Sequence, residues 1–99
     1  MLNINKTQAD KNLVISLEGR LDTMTAPDLE SQLQASLAGV EHLSFDLAKL
    51  EYISSAGLRV LLSAQKTMNK QGDMVVKNAT EEVKEIFEVT GFTDILTIE

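Results

Sequence analysis

Tyr52-Ile53-Ser54-Ser55-Ala56-Gly57-Leu58-Arg59 reads as a strand end that passes into a helix with almost no loop between. Tyr52-Ile53 has strand chemistry, the two hydroxyls are N-cap residues, and Leu58 opens an apolar helical repeat. A strand feeding straight into a helix is the unit from which α/β sheets are built. The junction also leaves a serine at a helix N-terminus, where backbone N–H groups are unpaired and the helix dipole is positive. An anionic group is accommodated there. A phosphate carried by the serine itself is one candidate for that anion.

Downstream of the junction, Arg59, Ser63, Lys66 and Lys70 fall on the solvent face of the helix, and Leu58, Leu61, Leu62 and Met68 point inward. Gln71-Gly72-Asp73 ends it. Met74-Val75-Val76-Lys77 is a short strand, and Thr80 caps a third helix with Glu81 and Glu82 in its first turn. Val83, Ile86 and Phe87 form the buried stripe of that helix. Gly91 suits the position after it, Phe92 packs back on Phe87, and Ile95 to Ile98 is a last short strand.

Upstream, His42-Leu43-Ser44-Phe45-Asp46-Leu47 is a strand joined to Ser54 by a short connection. Before it, Thr25-Ala26-Pro27-Asp28 opens a helix, with Thr25 as cap and Asp28 closing a capping-box-like pair. Leu29, Leu33 and Leu37 are its core stripe, and Gly39 its stop. Leu13 to Leu17 is a strand closed by Gly19. It pairs with an earlier strand over Leu2 to Gln8 through hairpin chemistry at Asp10-Lys11-Asn12. The order β-β-α-β-α-β-α-β predicts an α/β domain whose sheet is largely parallel and made mixed by the opening hairpin.

The length of 99 residues fits one domain, residues 1–99. No apolar run approaches the ~20 residues needed to span a bilayer. Met1-Leu2-Asn3-Ile4-Asn5-Lys6 lacks a basic start followed by a long apolar core, so no secretory signal is visible, although a mature chain would look the same. Cysteine is absent, which excludes disulfides and thiol catalysis and fits a cytoplasmic protein. Nine basic residues against fifteen acidic give a net charge of −6. That argues against non-specific nucleic-acid binding and permits a partner with a basic surface; it also serves solubility.

Catalytic constellations are missing. The single histidine is His42 at a strand start, and no Gly-x-Ser-x-Gly elbow exists. Zinc lacks enough nitrogen or sulfur ligands, and the five scattered glycines make neither a P-loop nor a dinucleotide fingerprint. No metal or cofactor is expected. Asp22 follows one strand and Asp46 lies near the end of another, so in a parallel sheet both reach the rim that carries Ser55. They orient a hydroxyl or hold a metal there, or they only end their own elements. Ser54 and Ser55 likewise have two readings: an ordinary cap, or a hydroxyl offered to a partner. Gly57 costs the helix about 1 kcal/mol relative to alanine, which close backbone approach by a partner would explain.

The chain resembles a stand-alone STAS domain of the bacterial anti-sigma factor antagonist type, over essentially all of its length. The likeness rests on Glu18-Gly19-Arg20-Leu21-Asp22 with Thr25-Ala26, on Phe45-Asp46-Leu47, on Tyr52 to Leu58, and on Val89-Thr90-Gly91-Phe92. It implies a STAS fold: one small domain with a mixed, largely parallel sheet packed against about three to four helices. It also implies a partner switch. The unmodified antagonist binds an anti-sigma factor that is also a serine kinase, which releases the sigma factor or another output. The kinase phosphorylates one serine at the start of the second helix, binding is lost, and a serine phosphatase resets the cycle.

Aligned on Gly57, the family's accepting serine falls on Ser55; an aspartate often precedes it there, whereas this chain has Ser54. The resemblance places Asp22, Asp46, Ser54, Ala56 and Gly57 around the phosphosite, and Thr23, Met24, Leu58, Arg59 and Lys66 among the partner contacts. Phosphorylation adds about −1.5 to −2 charges. A loss of about 3 kcal/mol would lower affinity roughly a hundredfold. The expectation is a cytoplasmic regulator with no catalysis of its own, no membrane association and no nucleic-acid partner. The alternatives are an adaptor subunit of another assembly, such as a lipid transporter complex, or a nucleotide-binding module.

Overall fold

The computed structural model describes residues 2–99. Strands β1 (Leu2–Ala9), β2 (Asn12–Leu21), β3 (His42–Ile53) and β4 (Asp73–Lys77) form one sheet in the order β1-β2-β3-β4. β1 is antiparallel to β2; β2, β3 and β4 run parallel. Helices α1 (Ala26–Ser36), α2 (Ser55–Asn69) and α3 (Glu81–Thr90) connect or follow the parallel strands, and a 3-10 turn spans Phe92–Asp94.

Successive crossovers step across the sheet in one direction. With right-handed connections this puts the helices on the same face. Side-chain alternation agrees: Leu13, Ile15 and Leu17 on β2, Leu43, Phe45 and Leu47 on β3, and Met74 and Val76 on β4 are buried. They join Leu29, Leu33, Leu58, Leu61, Val83 and Phe87 in one core. The other sheet face is open and mostly polar, carrying Asn5, Ser16, Asp46 and Lys77 in neighbouring register.

Several expected boundaries move. β2 continues past Gly19, which takes φ +104° where the pairing with β3 shifts register. The left-handed backbone there favours glycine, and the extra residue at the shift, Glu51, lies on β3, so β2 runs on unbroken. β3 likewise continues from Leu47 to Ile53, so the expected short connection to Ser54 is strand. Thr25 makes no capping bond to α1, because its side chain is turned back to the residues before it. Leu62 is only half-buried, while Val60, Ala64 and Gln65 share the inner face of α2. The expected strand over Ile95 to Ile98 is reduced to one bridge, Val76 to Ile98. Thr80 does cap α3, accepting from the Val83 N–H at 3.3 Å, and Gly91 ends that helix at φ +79°.

Candidate functional site

Leu21 and Ile53 are register partners at the carboxyl ends of β2 and β3. The Asp22–Thr25 turn therefore emerges beside the start of α2. The Ser54 N–H donates to the Leu21 carbonyl at 2.8 Å and ties the two together. Thr23, Ala26 and Pro27 from one side and Ala56, Arg59 and Ser63 from the other line a shared groove of ≈ 330 Å³.

The two serines have different environments. Ser54 is the N-cap of α2: its backbone is extended, its carbonyl accepts from Leu58 N–H at 2.9 Å, and its hydroxyl accepts from Gly57 N–H at 3.4 Å. It is half-buried. Ser55 is the first helical residue and is exposed, and its hydroxyl bonds to none of the described residues. The first turn of α2 carries no acidic side chain. The N–H groups of Ser55 and Ala56 are the unpaired donors that a helix start leaves over, and the dipole adds partial positive charge.

Asp22 is built into the turn. Its Oδ1 accepts from Met24 N–H at 3.0 Å and Thr25 N–H at 3.1 Å, with the Thr25 hydroxyl at 3.2 Å. Thr25 Oγ1 in turn accepts from Asp22 N–H and lies 2.9 Å from the Arg20 carbonyl. Partial burial works against ionisation of Asp22. The bonds from Thr25 and Met24, with Arg20 Nε 3.9 Å away, outweigh it and hold the carboxyl below its ordinary range. Thr23 and Met24 are exposed at the tip of this turn, Met24 at 84%.

Arg59 and Lys66 are exposed along α2, as are Ser63 and Lys70. Leu58 does not join them. It is 4% exposed and packs in the core, so it is not available as a partner contact. Gly57 is also explained from within the chain. A Cβ there would meet Leu21 Cγ at 2.7 Å and Ile53 Cγ1 at 2.9 Å, so the close approach is to the protein's own core and not to a partner.

Asp46 is separated from the site. Because β3 runs on to Ile53, Asp46 lies seven residues back from the strand end, roughly 20 Å along it. Flanked by the buried Phe45 and Leu47, it points to the open sheet face. There it accepts from Ala48 N–H at 3.1 Å and Asn78 Nδ2 at 3.3 Å. His42 sits at the other end of β3, paired with Asp73 at 3.0 Å. Among the described residues no cluster of three acidic, histidine or cysteine side chains could hold a metal ion. No helix is long and apolar enough to cross a membrane.

One feature of the rim is missing from the sequence reading. Arg20 and Tyr52 are register partners, and the guanidinium stacks 4.5 Å from the centre of the Tyr52 ring. Pairing the penultimate residues of the two parallel strands, one step before Leu21 and Ile53, finds it.

Comparison with known proteins identifies the fold and the family. BtrV of Bordetella bronchiseptica, a candidate anti-sigma factor antagonist by name, is 34% identical over 99 residues, covering 98% of this chain and 85% of that protein. The crystal structure of an anti-sigma factor antagonist from Mycobacterium paratuberculosis superposes with a TM-score of 0.89 at 24% identity, over 99% of this chain and 85% of that one. The Bacillus cell fate determinant SpoIIAA, solved in its phosphorylated form, gives 0.77 at 15% identity over 98% and 91% of the two chains. These structures share the fold. The STAS domain family matches residues 3–99, and the chain belongs to that family.

Proposed function

We propose that this chain is an anti-sigma factor antagonist in a partner-switching pathway. Its unphosphorylated form binds an anti-sigma factor that is also a serine kinase, and phosphorylation of Ser55 ends that binding. A serine phosphatase restores the unmodified form. The chain acts in the cytoplasm, without catalysis of its own and without nucleic acid or membrane.

The observation that carries this reading is the division of labour between the two serines. Ser54 is engaged as the helix cap, whereas the Ser55 hydroxyl is exposed and unbonded among the described residues. A kinase reaches an exposed hydroxyl at a helix start without unfolding it. The names of the relatives support the same role: antagonist for BtrV, and a phosphorylated state for SpoIIAA.

The electrostatics fit a switch that leaves the fold intact. The free N–H groups and the dipole at the start of α2 accept the added charge of about −1.5 to −2. A protein docked over Ser55 would have to bury that charge, which is costly without a dedicated counter-ion. Thr23 and Met24 on the turn, with Arg59 and Lys66 along α2, form the contact surface on either side of the groove. Asp22 holds the turn that presents the first two of them, and its negative charge repels the phosphate.

The test is phosphorylation by the cognate kinase with ATP, read by mass spectrometry on the native chain, Ser54→Ala and Ser55→Ala. The phosphate should vanish only from Ser55→Ala. Phosphate retained in Ser55→Ala and lost from Ser54→Ala would reverse the assignment.

A further inference from the structure

We propose that Met24 is an oxidation site that gives the docking surface a second input, independent of the serine. The proposal rests on the partner-docking role assigned above. The sequence contains no cysteine, so methionine is the sulfur that a mild oxidant meets. Met24 is 84% exposed, whereas Met68 and Met74 are 0% and 2% exposed in the core. Solvent access decides which thioether reacts first, and among the described residues it singles out the one at the rim of the candidate interface.

The position of Met24 is fixed. Its N–H and that of Thr25 both donate to Asp22 Oδ1, at 3.0 and 3.1 Å. Its neighbour Thr23 lines the groove shared with Ala56 and Arg59. A flexible, polarisable side chain held outward on a rigid turn suits an apolar contact with a partner. The reaction needs only a peroxide. The thioether sulfur attacks one peroxide oxygen, the S–O bond forms as the O–O bond breaks, and sulfur gives up two electrons. The second oxygen leaves with the O–O bond pair as hydroxide and takes the proton from the oxygen now on sulfur, so the by-product is water. The product is a sulfoxide, polar where the thioether was apolar, and reducible by methionine sulfoxide reductase. A partner that covers this residue must then desolvate the new oxygen. The fold is indifferent, because so little of the Met24 side chain is covered by the rest of the chain.

The experiment treats the purified chain with graded hydrogen peroxide, then maps peptides by mass spectrometry and titrates the cognate kinase. Met24 should gain one oxygen well before Met68 and Met74, with the melting temperature unchanged. Kinase affinity should fall at least about tenfold and return after reductase treatment. Met24→Leu, whatever its starting affinity, should lose less than about twofold of it through the same exposure. Oxygen appearing on Met68 or Met74 as fast as on Met24 would overturn the proposal, as would full affinity of the Met24-oxidised chain. An untreated, unphosphorylated chain that fails to bind the kinase would instead sink the partner reading, and this proposal with it. Met1, outside the described residues, is followed as its own peptide.

Discussion

Gly57 packs so closely on Leu21 that a Cβ added to it would lie 2.7 Å from the Leu21 Cγ. This contact locks the first turn of α2, which Ser55 opens, to the end of β2, from which the Asp22–Thr25 turn departs.

Gly57→Ala therefore sets two effects against each other. Alanine gains about 1 kcal/mol of helix propensity over glycine. Overpacking a filled site costs about 1–3 kcal/mol. The clash involves a branch carbon near the backbone and not a free side-chain end, so overpacking should win. Urea denaturation should show a net loss of about 1 kcal/mol. A variant more stable than the parent would contradict the packing described.

The two serines should separate in stability as well as in modification. Ser54→Ala removes a cap and should cost about 0.5–1 kcal/mol, the low end of the usual range because the bond is long. Ser55→Ala removes an exposed hydroxyl and should stay within about 0.5 kcal/mol of the parent. Paired denaturation curves decide it; the reverse order would make Ser55 the cap.

Asp22 predicts a pH dependence with a definite sign. Its carboxyl is held below the ordinary value of 3.8 in the folded chain. A depressed carboxylate contributes stability that is fully present above the unfolded value and is lost as pH falls through the folded one. Asp22→Asn keeps the acceptor oxygen but not the charge. Near neutral pH the parent should be the more stable of the two, and the gap should close on acidification below about pH 4. Thermal melts across that window check it. A gap that widens toward acid would show that the charge on Asp22 opposes folding.

Much of this arrangement is legible in the sequence. Leu29, Leu33 and Leu37, the Thr80 cap and the Ser54-Ser55 junction each carry a local signal, and each lies where that signal puts it. The misplaced strand ends share a cause: they depend on pairing between strands. The register shifts that carry β2 through Gly19 and β3 through Ala48 and Lys49 leave no local mark, so local chemistry alone ends both strands too early. That shortening brought Asp46 to the rim on paper while the fold holds it far back on the open face. Thr25 misled for the opposite reason. A threonine before a helix reads as a cap, but here its hydroxyl is taken by the preceding turn, lying 2.9 Å from the Arg20 carbonyl and accepting from Asp22 N–H. Leu58 and Gly57 show the remaining limit. The helical repeat already turns Leu58 inward, against its place among the contacts that the resemblance implies, and the core agrees with the repeat. For Gly57 only the packing of Leu21 and Ile53 shows what the glycine is for.

Mimicry should distinguish charge from structure at the switch. Ser55→Asp introduces negative charge at a helix start, where it is tolerated or mildly favourable, by about 0.3–1 kcal/mol. Its melting temperature should match that of the parent, while its affinity for the kinase drops. A large fall in melting temperature would mean that Ser55 supports the fold and not an interface.

The most direct measurement is a titration of the cognate anti-sigma factor kinase with the unmodified chain and with the chain phosphorylated on Ser55. Unmodified protein should bind, and the phosphorylated form should bind roughly a hundredfold more weakly, with both forms equally folded. Equal affinity of the two forms would contradict the account.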